Sequence, residues 1–428
     1  MSLFGDRLTL RNATLPDGSQ VDVAMHDGLV QAVSAVESAS GLAADPTEGA
    51  ASIDLTGFLL LPAGADAHAH LDKASSWESI NPPMGDLRMA IDAWRAYSAT
   101  MTEDDVAERA RRQVLAMLAS GTTAIRSHVD VRYGDDPALN ARAVLRVREE
   151  LADLVDLELV ALAGPETPDY AVDQVLDLGI DLVGGAPHLA PDPRADMKRL
   201  LAIAERRGVG VDLHVDESLD GPVTLDEFAV AVRGWSQNVS AGHCVRLGTL
   251  SDDERARVIG EVVASDVGII ANPITNLYLQ GWEHRTSVPR GLTPARELID
   301  AGVRFAAGAD NVQDPFNPLG RSDALETAML LVVAGHLSVD EAYAAVSTGG
   351  RRVMRLPAAG PSVGARADLL AVRGRSLVEV VATAPPDRLV FRAGRLVART
   401  TSQLELAAAG HSLSADPVSQ PDLEARSV

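Results

Sequence analysis

Apolar positions along this chain fall into two textures. Over the first sixty residues they come in short runs broken by turn signals: RLTLRNATL, then Pro16-Asp17-Gly18, then QVDVAMHDGLVQAV with Asp27-Gly28 inside it. Runs of this length divided by Asp-Gly predict hairpins. The same texture returns in ADLLAV (367–372) and RLVFRAGRLVAR (388–399), where Ala393-Gly394 separates two apolar stretches. The two ends are expected to pair into one small β-sandwich domain, residues 1–62 with 361–428. The last twenty residues, rich in Ser, Ala, Asp and Pro, are expected to form a mobile tail.

Between the ends, apolar strands alternate with helical stretches. FLLLPAGADAHAH, TAIRSHVDV, LELVALAG, LVGGAPHL, GVDLHVDE, NVSAGHC, GIIANPI and RFAAGADN are eight strand candidates, with helical segments such as TEDDVAERARRQVLAMLAS between many of them. Gly121, Gly179, Gly208 and Gly302 stand where a helix hands over to a strand, a position that favours a left-handed residue. Thr102 with Asp105 and Ser338 with Glu341 have the spacing of capping boxes. Eight strand–helix repeats over roughly 300 residues predict a (β/α)8 TIM barrel, residues 63–360, a fold of about 250 residues and upward. An open doubly wound sheet is the alternative.

Composition narrows the chemistry. With 46% hydrophobic and 23% charged residues the 428-residue chain can bury a large core. Sixty acidic against 38 basic residues give −22, a surface that repels nucleic acid and anionic lipid, so neither is an expected partner. No apolar run is long enough to span a bilayer and MSLFGDRLTL lacks the features of a signal peptide, so a cytoplasmic location is expected. The single cysteine, Cys244, excludes multi-cysteine metal sites, including the deaminase design that needs P-C-x-x-C. The two lysines, Lys73 and Lys198, do not follow a glycine, which removes a phosphate-binding G-K-[ST] loop.

Six of the ten histidines, His68, His70, His128, His188, His214 and His243, fall near the C-terminal ends of predicted strands, the rim where a barrel carries its active site. His68 and His70 are two apart on one strand and share a face, which in a barrel is the interior. Two imidazoles there can hold a divalent metal, or form a hydrogen-bonded core pair. His214 ends GVDLHVDE and adds a third nitrogen, and Asp310, ending RFAAGAD, offers a carboxylate. Three histidines, one carboxylate and an open position suit Zn or Fe(II), one ion per chain. Each assignment has a plain alternative: Asp310 as a helix N-cap, Glu217 as a solvated loop acid beside Asp216 and Asp220, and His243 as a core histidine beside Cys244.

The elements PAGADAHAHLD, RSHVDV, DLHVDE, ANPITNLYLQG and GADNVQDPFNPLG, in this order between about residue 58 and about 372, resemble the amidohydrolase superfamily and within it the cytosine deaminase-like branch. The resemblance implies that His68, His70, His214 and Asp310 ligate the metal, that Glu217 shuttles a proton to a ring nitrogen, and that His243 steadies the attacking hydroxide. Departures matter too. Where cytosine deaminases carry a base-recognising glutamine this chain has Gly164 and Pro165; Asn311 stands in place of a second aspartate, and Phe316 in place of a tryptophan. Lys73 and Asp310-Asn311 look more like the N-isopropylammelide amidohydrolases, although HVDE is the deaminase form. A carbamylated-lysine binuclear centre is not expected, because LVGGAPHL has no lysine.

The function so implied is a metal-dependent aminohydrolase that removes an exocyclic amine from a nitrogen heterocycle other than cytosine. In this mechanism Asp310 accepts the water proton and Glu217 protonates the ring. The alternatives are release of an N-alkylamine or opening of a cyclic amide, and a non-enzymatic binding protein on the same scaffold. Leu87, Trp282, Gln280, Asn272, Asn311, Gly164 and Phe316 are the candidate substrate contacts, with His128 and His188 as further neighbours of the site. The partner is a small heterocyclic molecule, and a homo-oligomer fits enzymes of this kind.

Overall fold

The structure, a computed structural model, describes residues 7–36 and 51–404. The expected tail over the last twenty residues lies outside them. Contacts divide the chain into two units. One holds the described residues up to Gly64, those from Pro357, and Leu118–Thr123; the other holds Ala65–Met117 and Ala124–Leu356.

Five strands open the chain: β1 (Arg7–Thr14), β2 (Gln20–His26), β3 (Leu29–Ala35), β4 (Ala51–Asp54) and β5 (Phe58–Pro62). Eight follow in the barrel: β6 (Gly64–Ala69), β7 (Thr122–Asp130), β8 (Asp156–Ala163), β9 (Leu182–Gly185), β10 (Gly210–Val215), β11 (Val239–His243), β12 (Gly268–Ala271) and β13 (Phe305–Ala307). Three more, β14 (Leu369–Arg373), β15 (Arg388–Arg392) and β16 (Arg395–Thr400), close the described chain.

The terminal strands form one hydrogen-bonded sheet in the order β16-β15-β14-β5-β1-β2-β3, with β4 on β1. β5 and β14 pair antiparallel, Leu369 opposite Pro62, and so join the first sixty residues to the last. Inward residues from both arms, among them Leu10, Val23, Leu60, Leu369 and Phe391, share one apolar core. The hairpins follow from their turn residues. Asp27 and Gly28 take φ of 49° and 78°, and Ala393 and Gly394 take 47° and 74°, the paired positive values of a two-residue turn that matches strand twist. An alanine in that region is strained, and the hairpin it closes must hold it there.

The second sheet runs in chain order from β6 to β13, and each neighbouring pair from β7 to β13 is parallel. It closes on itself where Asp310 N donates to His68 O at 2.8 Å and Ala69 bridges Asp310 in parallel. This is the (β/α)8 barrel that the alternating pattern predicts. The glycine signals behave as expected: Gly121, Gly179, Gly208 and Gly302 have φ between 69° and 106°. Ser338 and Glu341 form a full capping box. Thr102 accepts from Asp105 N at 3.2 Å, but the short Asp105 carboxylate bonds Arg109 instead of turning back.

Two glycines separate conformational from steric need. Gly208 is left-handed at 69° with open space where a Cβ would sit, whereas a Cβ on Gly350 would lie 2.0 Å from Ala65 O. Gly208→Ala should cost about 1 kcal/mol. Gly350→Ala must push backbone aside and should cost about 3 kcal/mol or more. Urea unfolding of the two variants checks this; equal losses would show that the helix Thr348–Val353 does not press on β6 as described.

Candidate active site at the C-terminal rim of the barrel

The barrel interior is unusually polar, and its order follows from the two-residue period of its strands. Arg126 and His128 are two apart on β7, and Asp212 and His214 two apart on β10, so each pair points one way. The lower layer is an ion cluster that links β7 to its neighbour β8 and reaches across the barrel to β10 and β11. Arg126, fully buried, donates from Nη1 to Asp212 at 2.7 Å and to Ser240 Oγ at 2.7 Å, and from Nε to Glu158 at 2.6 Å. Burial works against the guanidinium charge, but Glu158 and Asp212 more than offset it and raise its pKa.

Above this floor the imidazoles of His68, His128, His214 and His243 converge, with ring centroids of neighbouring pairs 4.2 to 5.1 Å apart. Room for them is made by glycine. A Cβ on Gly242 of β11 would stand 2.8 Å from His68 Cε1, and one on Gly184 of β9 would stand 3.3 Å from His128 Nδ1. The strand ends that present the site are also bent into the left-handed region: Asp216, His243, Cys244 and Asp310 have φ of 49°, 70°, 50° and 57°. Strain of this kind gathers where side chains are aimed for function.

His70 Nε2 lies 3.2 Å from Asp310 Oδ1 and 3.3 Å from His214 Nε2, and His68 Nε2 lies 3.6 Å from Asp310 Oδ1. All four are buried, yet both nitrogens of His68, Nδ1 of His214 and both oxygens of Asp310 lack a hydrogen-bond partner among the described residues. Polar atoms left dry and unpaired are costly. Burial, reinforced by neighbouring imidazoles, drives His68 and His214 far below the ordinary histidine pKa, and burial with the Lys73 ammonium takes His70 down to about 3. Burial lifts Asp310 to about 7, against the pull of His243. The neutral imidazoles of His68, His70 and His214 offer nitrogens within 4.8 Å of one another, and Asp310 groups at the same spacing with His68 and His243, a donor set that fits a divalent cation.

Glu217 stands at the edge of this cluster, 3.7 Å from His243 Nδ1 and 3.2 Å from His188 Nε2. Burial opposes its charge, but His243 and His188 outweigh it and bring the carboxyl down to about 2. His188 is in turn raised despite burial, because Glu217 faces it. His243 is wedged between two amides, Asn276 Nδ2 at 3.0 Å and Asn272 Nδ2 at 3.3 Å, and Thr293 Oγ1 donates to its carbonyl. An imidazole has at most one acceptor nitrogen, so at least one of the two amides presents its oxygen to His243. Gln280 Nε2 donates to Glu217 O at 2.8 Å and so anchors the loop behind the acid.

A cavity opens beside these groups, enclosing about 890 Å³ of empty space including its mouth. His70, His214, Glu217, His243 and Asp310 line its inner end; Leu87, Gly164, Asn311 and Phe316 also line it. Asn311 has its amide nitrogen on Asp314 Oδ2 at 2.7 Å. Trp282 stands apart from the lining: it is 46% exposed, and its indole N–H donates to Tyr278 O. His128 is fully buried below the cavity, and both its nitrogens are without a hydrogen-bond partner among the described residues.

Several contacts around the site join residues far apart in the sequence. Lys73 Nζ sits 2.5 Å from Asp130, which also accepts from Trp94 Nε1 at 2.7 Å, and Asp72 receives Asn140 Nδ2 at 2.8 Å. Gly164 is explained by Tyr133, whose Oη would lie 1.9 Å from a Cβ at that position. The period-two spelling of R-S-H and D-L-H was a readable signal for Arg126 and Asp212; nothing local marks Tyr133.

Barrel, rim and ligand set together define a metal-dependent hydrolase of carbon–nitrogen bonds other than peptide bonds. The chain belongs to the amidohydrolase family, whose pattern matches residues 78–398. It is 32% identical over 424 residues to a pterin deaminase of Rhizobium rhizogenes, covering 92% of this chain and 94% of that one. The crystal structure of 5-methylcytosine deaminase from Klebsiella pneumoniae liganded with phosphonocytosine superposes with a TM-score of 0.82 at 26% identity, over 93% of this chain and all (100%) of that one. N-isopropylammelide isopropylaminohydrolase from Burkholderia multivorans gives 0.77 at 28% identity, over 92% and 99%. Among the described residues no helix is long and apolar enough to cross a membrane.

Two outcomes follow. Arg126→Met strands Asp212 and Glu158 in the barrel floor and should cost about 3–5 kcal/mol, part of which Arg126→Met with Asp212→Asn regains; denaturant unfolding measures both, and a silent Arg126→Met would mean the cluster is not dry. A cation held at a hundredfold its Kd adds ~2.7 kcal/mol to stability. Chelation should therefore lower the Tm of the wild type and leave that of His214→Ala unchanged; a chelator effect of equal size in both would place the cation elsewhere.

Proposed function

We propose that the chain deaminates a fused bicyclic amino-heterocycle of the pterin kind. The observation that carries this reading is the ionised Glu217 beside a set of unpaired metal-type ligands at the inner end of one cavity. The similarity to a pterin deaminase along nearly the whole length of both chains supports the ring class.

His68, His70, His214 and Asp310 would hold one divalent cation, and three imidazoles with a carboxylate suit Zn and Fe(II) alike. When bound, such a cation lowers the pKa of a water toward ~7 and supplies Lewis-acid polarisation. A second cation through His68, His128 and Asp212 is disfavoured, because Arg126 already places its charge 2.7 Å from Asp212.

The protein's own groups divide the proton work. Glu217, at about 2, enters the cycle ionised and must accept a proton before it can deliver one to the ring nitrogen. His188 keeps that carboxylate aimed and charged. His243, held at Nδ1 by Asn276, would exchange its longer Nε2 contact with Asn272 for the oxygen that develops charge at the attacked carbon, on the side that faces Asp310. Asp310, lying between the ligands and His243, takes the water proton and returns it to the departing amine. Apolar walls from Leu87, Ile91, Leu162 and Phe316 exclude water from the ring faces.

Release of an alkylamine is the second reading, suggested by Lys73. That ammonium is engaged by Asp130 and held charged by it and Asp72, even against burial, so it does not stand free as a recognition group.

Metal-loaded protein should release ammonia from pterin, and Glu217→Gln should lower kcat by about a hundredfold or more with metal content unchanged. An alkylamine or ring-opened acid as product, or a Glu217→Gln enzyme as fast as the wild type, would overturn the proposal.

A further inference from the structure

The two ends of the cavity differ in chemistry. The inner end is the buried ligand cluster with Glu217. The outer end is half-exposed and carries two guanidiniums, Arg95 and Arg132, together with the Tyr133 hydroxyl. The side chains of Arg95 and Tyr133 are 45% and 42% exposed. Arg95 Nη2 donates to Tyr133 Oη at 3.3 Å with the guanidinium 5.0 Å from the ring centroid, while Arg132, next to Tyr133 in the chain, donates from Nη2 to Ser98 O at 2.5 Å.

These cations are poorly matched within the protein, although the chain carries a net charge of −22. Arg142, on the neighbouring helix, is by contrast answered by both Asp136 and Glu103. Arg132 has no carboxylate within ion-pair distance among the described residues; Asp136, whose charge it senses, is forked by Arg142 at 2.9 and 2.7 Å. Arg95 has only Glu166, 3.9 Å away and 75% exposed. In the other direction, Asp130 is already taken by Lys73 and Trp94. The Tyr133 hydroxyl fills the place a side chain at position 164 would occupy, so Gly164 lets a donor from the outer cluster reach into the cavity.

We propose that this outer end binds an oxyanion carried by the heterocyclic substrate, a carboxylate on the side of the ring remote from the reacting amine. The inference rests on the deaminase reading for its substrate and adds the charge of that substrate. Two forked guanidiniums and a hydroxyl are the donor set that planar carboxylates accept. In a protein this acidic, they also form a local attraction at the mouth for a ligand that the rest of the surface repels.

The test compares pterin with pterin-6-carboxylate on metal-loaded full-length chain. Wild type should favour the carboxylate in kcat/KM by about tenfold or more. The ratio should fall to about one in Arg95→Met/Arg132→Met, and stay at the wild-type value in Arg375→Met, which removes a charge from an exposed site elsewhere. Because Arg132 also holds a helix-end carbonyl, Arg95→Lys/Arg132→Lys is measured beside it; it keeps the charge, loses the fork and should retain part of the preference. Raising salt from about 0.05 to about 0.5 M should shrink the wild-type ratio. A wild-type ratio of one, or a ratio untouched by the double Met variant, overturns the proposal. Equilibrium binding separates it from the reading beneath it. If neither compound is deaminated but the carboxylate binds about tenfold more tightly, the anion site stands and the deaminase reading fails; turnover of both without preference gives the reverse. Tighter binding of a phosphate ester than of the carboxylate would keep an oxyanion site and overturn the carboxylate assignment.

Discussion

Uncharged imidazoles and an unpaired carboxylate packed together in a dry barrel are the constraint on which the rest of this structure depends. His68, His70, His214 and Asp310 gain little from one another without a cation, since burial has pushed each toward its neutral form. A fold that keeps them close must hold them from outside. It does so with backbone closure between Asp310 and His68, with strained strand ends, and with a layer of salt-bridged charge below. The cost of exposing polar atoms to a dry interior is offset by ligand binding rather than by packing.

The electrostatic design is graded along the barrel axis. At the floor, Arg126 is matched by Asp212 and Glu158. In the middle, burial and mutual repulsion hold His68, His128 and His214 in their neutral form. At the rim two carboxyls are driven apart, Asp310 up to about 7 and Glu217 down to about 2, although both are buried. Different neighbours produce the split: His243 and His188 outweigh the burial of Glu217, whereas burial dominates at Asp310. Pairs of acids separated in this way are how a site obtains distinct proton acceptors from one type of residue.

Much of this was legible in the sequence, for a reason that can be stated. A parallel barrel exposes the C-terminal end of every strand on one face, so a polar residue closing an apolar run is placed in three dimensions by its one-dimensional position. His68, His70, His214, His243 and Asp310 all close such runs. The same rule extends inward with period two and would have located Arg126 and Asp212, had the strand charges been followed down as well as up. What stayed illegible depends on reach. Trp282 follows the helix Pro273–Leu279 and packs its ring on Tyr278 with centroids 5.7 Å apart, away from the cavity. Tyr133 meets Gly164 across two loops, and no local pattern in either segment signals that meeting.

Gly184 and Gly242 make the interior intolerant of novelty: any side chain added there crowds an imidazole. The mouth is built the other way, from long side chains on a helix end and a loop, where one residue can change without moving the next strand. The ligand cluster and the long side chains of the mouth thereby lie in separate parts of the chain, and descendants of this sequence can change the mouth while inheriting the cluster intact.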